Sequence, residues 1–262
     1  MTDPLVRSRV GDGVALLELA APPANCYSYE MMRQLDAAIL EARMDAAVHV
    51  IVLRGAGERF FCAGADIRTL QSVTPEYKYY FCLHANETLM RLEQTPKLVI
   101  AALNGHCVGG GLEVALACDL RLARRGAGKI GLPEVALGVL PGTGGTQRLV
   151  RLVGRARALE LMITGSTHTF EEAQALGLVN QVLDATDFDI EVLRYARQFC
   201  PPHKASMAVG RIKRAVATGA EMPFAEALAF ERELQQQLFT SNDAREGLAA
   251  YLDKRPPRFE GR

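Results

Sequence analysis

Short apolar runs alternate with amphipathic segments from the start of the chain. Leu5 to Val10 and Val14 to Leu19 flank Gly11-Asp12-Gly13, a hairpin signature that Pro22-Pro23 then interrupts. From Tyr29 to Met44 the apolar residues Met32, Leu35, Ile39 and Ala42 recur at helical spacing. Val48 to Leu53 is a β-branched strand stopped by Gly55-Ala56-Gly57, and Phe60 to Ile67 reads as a loop. Pro75 opens a helix that runs to about Glu93. Leu98 to Leu103 is an unbroken apolar run ending at Asn104-Gly105, the mark of a buried strand and its turn. Strand, helix, strand, helix is the rhythm of a parallel α/β sheet.

Gly109, Gly110 and Gly111 precede Leu112 to Cys118, which predicts a short and almost wholly apolar helix. Ile130 to Leu140 is apolar except for Glu134. Beyond Gly142-Thr143-Gly144-Gly145 the chain turns mainly helical. Arg155 to Thr164 is one helix, and Thr169-Phe170-Glu171-Glu172 is a capping box opening another. Val179 to Leu183 is a short last strand. From about Phe188 the rest is helical, with breaks near Pro201-Pro202, Gly219 and Pro223.

The glycine turn is where chemistry is expected. Glycine lets the backbone approach a ligand closely. The start of a helix leaves N–H groups without partners, and its dipole favours negative charge. A Gly110 N–H aimed at a substrate oxygen would stabilise a developing oxyanion. Glu113 falls in the first helical turn, where the dipole favours its ionised form. Glu134 follows Pro133 in apolar sequence, where desolvation raises a carboxyl pKa. Two carboxyls pushed apart in this way can serve as base and acid. Tight helix–strand packing explains the glycines equally well when they are taken alone. Nucleotide motifs are excluded by spacing: G-x-G-x-x-G needs glycine at Val114, and no G-x-x-x-x-G-K-[ST] occurs.

Together these segments resemble the enoyl-CoA hydratase/isomerase (crotonase) family. The resemblance rests on N-G-H-C-V-G-G-G-L-E, A-C-D-L-R-L-A, G-L-P-E-V-A-L-G-V-L-P-G-T-G-G-T-Q-R-L and, upstream, F-F-C-A-G-A-D-I from Phe60 to Ile67. It covers nearly the whole chain, down to the K-R-P-P-R-F tail. It implies an α/β, crotonase-like spiral of ββα turns over residues 1–195, then a helical C-terminal region, 196–262, that assembles trimers and often hexamers. It implies an oxyanion hole from the backbone N–H groups of Ala65 and Gly110, with Glu113 and Glu134 as the catalytic glutamates. It implies a coenzyme A path along Ala63, Ala65, Asp66, Ile67, Arg68 and Gly110. Members with other reactions often lack one or both glutamates. Their joint presence favours a lyase that adds water across the C2–C3 bond of an enoyl-CoA thioester. Isomerisation, decarboxylation or thioester hydrolysis on the same scaffold is the alternative. No separate cofactor is expected, because coenzyme A is part of the substrate.

Remaining features sharpen this picture. The 262 residues carry 30 Lys+Arg and 30 Asp+Glu, so zero formal net charge gives no bulk attraction to nucleic acid and weakens a non-catalytic RNA-binding reading. No apolar run suggests a membrane span or a leader, which fits a soluble cytoplasmic protein. Cys26, Cys62, Cys82, Cys107, Cys118 and Cys200 form no C-x-x-C pair and read as reduced core thiols. His49, His168 and His203 lack metal-ligand spacing, so no metal site is expected, and His84 and His106 read as structural. Tyr77, Tyr80, Phe81, His84 and Thr88 fall roughly on one helix face, either lining the acyl pocket or packing the core. Cys26 and Tyr27 depart from the smaller or aliphatic residues common in the family after the asparagine. Lys254 and Arg255 are candidates for a nucleotide phosphate or for a solvated face.

Overall fold

The computed structural model describes residues 3–262. Strands β1 (Val6–Gly11) and β2 (Val14–Leu19) form the expected antiparallel hairpin. Its turn places Asp12 and Gly13 at φ 50° and 79°, the left-handed pair that matches strand twist. Helix α1 (Tyr29–Met44) follows, its first turn capped by the Ser28 hydroxyl accepting from Met31 N–H.

Next the chain repeats one unit. A long strand enters one sheet, a short strand enters a second, and a helix leads back. The long strands are β3 (Val50–Gly55), β5 (Leu98–Leu103) and β7 (Leu120–Arg124); the short ones are β4 (Phe60–Cys62), β6 (His106–Val108) and β8 (Lys129–Gly131). Helices α2 (Ile67–Ser72) and α3 (Pro75–Gln94) follow β4, and α4 (Gly110–Leu116) follows β6. A 3-10 turn, Glu134–Leu137, follows β8. Then come α5 (Gly145–Val153), α6 (Arg155–Thr164), β9 (Thr167–Thr169), α7 (Phe170–Ala175), β10 (Gln181–Leu183) and α8 (Phe188–Arg197). The larger sheet has the order β1-β2-β3-β5-β7-β10 and the smaller β4-β6-β8-β9. This is the ββα spiral. The smaller sheet is a correction to the sequence reading, which took Phe60–Ile67 as loop. Strands of three residues are too short to show a period, and only pairing across the spiral makes them strands.

Both faces of the central strands β2, β3 and β5 of the larger sheet are covered, as parallel strands require, while the edge strand β1 is exposed. Ala15, Leu17, Ile51, Leu53, Val99 and Ala101 join the core made with α1, α3 and α4. Their neighbours in sequence, Val14, Leu16, Val50, Val52, Ile100 and Ala102, face Phe188, Val192 and Ala196 of α8. Fully buried side chains such as Phe61, Phe170 and Leu89 each contribute about 1.5–3 kcal/mol relative to exposure. Buried Asn104 ties the spiral's edges: its amide donates to the carbonyls of Gly55 and Gly57 at 2.9 and 2.7 Å, and its oxygen accepts from Gly55 N–H at 3.0 Å.

Helices α9 (Ser206–Gly219), α10 (Phe224–Phe239) and α11 (Asn242–Leu252) complete the chain. Gly210 lets α9 press on the core, since a Cβ there would lie 2.2 Å from the Pro96 carbonyl. Lys213 of α9 is buried and pairs with Asp119 at 2.9 Å. Arg255 is committed to Glu246 and Asp253. Phe224 and Leu228 stay exposed on α10, while Leu234 is buried. Of the aromatic stripe on α3, Phe81 and Thr88 are buried but Tyr77 and Tyr80 are exposed, so the stripe is split between core and surface. All six cysteines are free; Cys26 and Cys82 are only half-buried.

Candidate active site

The site is built where the two sheets hand the chain to helices. Gly109 takes φ 57°, ψ −135°, a conformation open to glycine, and turns β6 into α4. Gly110 is the first residue of α4, so its N–H has no carbonyl one turn back. Gly64 crosses this turn so closely that a Cβ on it would sit 2.8 Å from Gly110 N. The segment after β4 and the segment after β6 are thereby brought into contact.

Ala65 is held by its neighbours. Tyr27 N–H donates to the Gly64 carbonyl at 2.9 Å, and Asp66 N–H donates to the Tyr27 carbonyl at 3.3 Å. In this parallel bridge the N–H of Ala65 itself points to the other side of the strand. Asp66 caps α2, accepting from Arg68 N–H at 3.1 Å and from the Thr69 hydroxyl at 2.9 Å. Ile67 and Arg68 are exposed on α2, and Ala63 is tied to the Ala24 carbonyl at 3.0 Å.

Glu113 is 2% exposed. Its Oε1 accepts two backbone N–H groups, from Thr143 and Gly145, both at 2.7 Å. Burial pushes its pKa up; these two N–H groups and Arg148 pull it down without cancelling the rise. This corrects the sequence expectation that the helix dipole sets its ionisation: desolvation is the larger effect. Arg148 braces the same loop, donating to the Thr143 carbonyl at 2.9 Å and bidentately to Glu93 at 2.7 and 2.8 Å. Sequence reading missed Thr143, Gly145 and Arg148 as site residues. They belong to the quoted G-T-G-G-T-Q-R run, but nothing in that run shows which carboxylate it meets.

Glu134 opens the 3-10 turn beside the glycines. A Cβ on Gly109 would lie 3.2 Å from its Oε1. Its Oε2 is buried without a hydrogen-bond partner. Burial raises its pKa to about 7, and the charge of Glu113 adds to the rise. A glycine turn with free helix-start N–H groups thus has one carboxyl of raised pKa against it and another in the helical turn that follows, an arrangement suited to proton transfer beside a developing oxyanion.

Other candidates fall elsewhere. His106 accepts from Lys129 N–H at 3.0 Å and is structural. A cavity at the opposite end of α4 is lined in part by two ion pairs, Glu93 with Arg148 and Asp119 with Lys213. Among the described residues no group of His, Cys, Asp and Glu is placed to hold a metal ion, and no helix is long and apolar enough to cross a membrane.

Known proteins share this chain's sequence pattern and fold. Residues 9–262 match the enoyl-CoA hydratase/isomerase family model. A solved enoyl-CoA hydratase from Geobacillus kaustophilus HTA426 superposes with a TM-score of 0.96 at 46% identity, covering 100% of this chain and 98% of that one. An enoyl-CoA hydratase from Bacillus anthracis gives a TM-score of 0.93 at 32% identity over 98% of this chain and 100% of that one. The short-chain-enoyl-CoA hydratase of Clostridium acetobutylicum is 37% identical over 95% of this chain and 94% of its own. With the ββα spiral and a match of this extent, the chain is an enzyme belonging to the enoyl-CoA hydratase/isomerase family.

Proposed function

We propose that the protein is an enoyl-CoA hydratase that adds water reversibly across the C2–C3 double bond of an enoyl-CoA thioester. In this reading the N–H groups of Ala65 and Gly110 receive the thioester oxygen. Their donation withdraws electrons from C3 and stabilises the enolate formed when water attacks there. Glu113, its Oε1 anchored by two backbone N–H groups, takes a proton from the attacking water. Glu134, the carboxyl raised to about 7, delivers a proton to C2. Elimination is the same path reversed.

One observation carries this reading: Glu134 lies against Gly109 and Glu113 lies in the first helical turn that follows, both with raised pKa. A reaction that only moves or removes a proton needs one such group; adding water needs a base and an acid. The coenzyme A portion would pass Ala63, Asp66, Ile67 and Arg68, of which the last two are exposed. Incubation with a panel of enoyl-CoA thioesters should remove the conjugated absorbance of at least one of them. A double-bond shift without hydration would turn the assignment to isomerase.

Assembly belongs to the same proposal. Val135, Leu137, Val139 and Leu140 beside the site, and Phe224 on α10, leave apolar surface exposed in the single chain. A homotrimer or homohexamer would bury it, with residues 196–262 as the assembling region of a core spanning 1–195. Sedimentation equilibrium should return three or six times 28.5 kDa; a monomer at micromolar concentration would remove the idea.

A further inference from the structure

Tyr27 joins both halves of the site. Its backbone pairs with the segment around Ala65, as the Gly64 and Asp66 hydrogen bonds show. Its side chain, enclosed at 3% exposure, runs to the opposite segment. There its Oη lies 2.9 Å from Thr143 Oγ1. The same hydroxyl occupies the space in front of Gly110: a Cβ on that glycine would be 2.2 Å from it. Phe81 backs the ring at 5.9 Å between centroids. Thr143 in turn donates its N–H to Glu113.

We propose that Tyr27 is a positioning residue for hydration, its backbone setting the Ala65 peptide and its hydroxyl, through Thr143, setting Glu113 against Gly110. This rests on the function proposed above. A phenol buried here keeps its proton, because burial and the nearby Glu113 charge push its pKa well up, so either hydroxyl can donate in the pair. Leucine could fill part of the ring's volume, but it would leave the Thr143 hydroxyl without this partner in a buried place. The loop that carries Thr143 would then lose the contact that holds it from the Tyr27 side. Its other brace, Arg148, grips it from α5.

Single turnovers are not needed to test this; steady-state kinetics with a short-chain trans-2-enoyl-CoA suffice, normalised to folded protein by thermal midpoint and circular dichroism. Tyr27→Phe should lower kcat about five- to tenfold with KM unchanged, the scale of one lost neutral hydrogen bond. Thr143→Val, which leaves the ring and the backbone N–H in place, should cost at least as much, because it also removes the Thr143 hydroxyl's interaction with Glu113. Thr143→Ser should recover most of that loss. The double variant should be no worse than Thr143→Val alone, since that variant already breaks the contact Tyr27→Phe removes. On a Glu113→Gln background, Tyr27→Phe should cost little more. Native kcat in Tyr27→Phe, or losses that multiply in the double variant, would overturn the proposal. Native kcat in Glu113→Gln alone would instead overturn the assignment of Glu113, and with it this route, whatever Tyr27→Phe does. Should Tyr27→Phe fold poorly, the Thr143 pair reads the same contact.

Discussion

Glu113 belongs to one helix and caps another. It lies in the first turn of α4, yet its Oε1 accepts the N–H of Gly145, the first residue of α5, at 2.7 Å. The start of α5 is therefore tied to a carboxylate carried by the first turn of α4. Gly145 has to be glycine for this approach, because a Cβ there would stand 2.9 Å from that oxygen. The anchored oxygen fixes the carboxyl plane and leaves the other oxygen for chemistry.

That geometry makes the glutamine variants informative. In Glu113→Gln the amide oxygen can still accept both N–H groups, so the fold is expected to survive. General acid–base groups contribute about 10²–10⁴-fold, and each of Glu113→Gln and Glu134→Gln should lose hydration by that order. The check is kcat on folded enzyme. Near-native turnover in both variants would mean that neither glutamate transfers a proton.

Glu134 predicts a pH dependence with a definite sign. Its carboxyl titrates near 7 when folded, above the ordinary 4.5. The folded state therefore holds this proton more tightly than the unfolded chain does. Its stabilising contribution is complete below the ordinary value and is lost as pH rises through about 7. The fall in melting temperature between pH 5 and pH 8 should accordingly be smaller in Glu134→Gln than in the native protein. Turnover in the hydration direction, which uses the protonated form, should decline over the same upper range. An identical pH slope in the variant would refute the titration.

Gly110 is expected to be intolerant for two separable reasons. Any Cβ collides with the Tyr27 ring, since it would lie 2.2 Å from the hydroxyl. Gly110→Ala should thus lower the melting temperature as well as the rate. Gly110→Pro also deletes the N–H, and losing one oxyanion donor costs roughly 10²–10³ in kcat. Because the enolate charge develops only in the transition state, kcat should suffer more than coenzyme A affinity. Unchanged kcat in the folded fraction of both variants would remove Gly110 from the site.

Lys213 separates stability from chemistry. It is buried on α9, pairs with Asp119, and donates to the carbonyls of Leu92 and Lys97 at 3.3 and 3.1 Å. Lys213→Met leaves the largely buried Asp119 with the Val99 N–H at 2.7 Å but without its paired cation. Breaking a buried pair from one side costs about 3–5 kcal/mol, so chemical denaturation should show a loss on that scale. The folded fraction should turn over normally, because Lys213 touches neither glutamate. A loss below ~1 kcal/mol would mean that water reaches Asp119 and screens it as at a surface.

Local rules made much of this protein legible in its sequence. Helix α1 runs from Tyr29 to Met44 as its apolar period predicts, and α3 begins at Pro75 because proline suits a first helical position. The capping box at Thr169 and Glu172 forms with both hydrogen bonds in place. The unbroken run Leu98–Leu103 is a strand covered on both faces. Each of these is decided by neighbours within a turn or two, which is why residue order alone suffices.

What tertiary structure decided lies between segments far apart in the chain. The smaller sheet exists only because Phe60–Cys62, His106–Val108 and Lys129–Gly131 are stacked by successive turns of the spiral. The first-turn position of Glu113 predicts an ionised carboxyl, but its pKa is raised because burial depends on what covers the helix, and the segment Thr143 to Gly145 lies against it. Tyr77 and Tyr80 look like members of the Phe81 stripe until α1 takes one edge of α3 and leaves the other exposed. Tyr27 stood out in sequence only as an unusual residue after an asparagine. Its partner, Thr143, is 116 positions away. Periodicity and capping act over single turns, whereas burial, pKa and the meeting of Tyr27 with Thr143 follow from which surfaces the whole chain brings together.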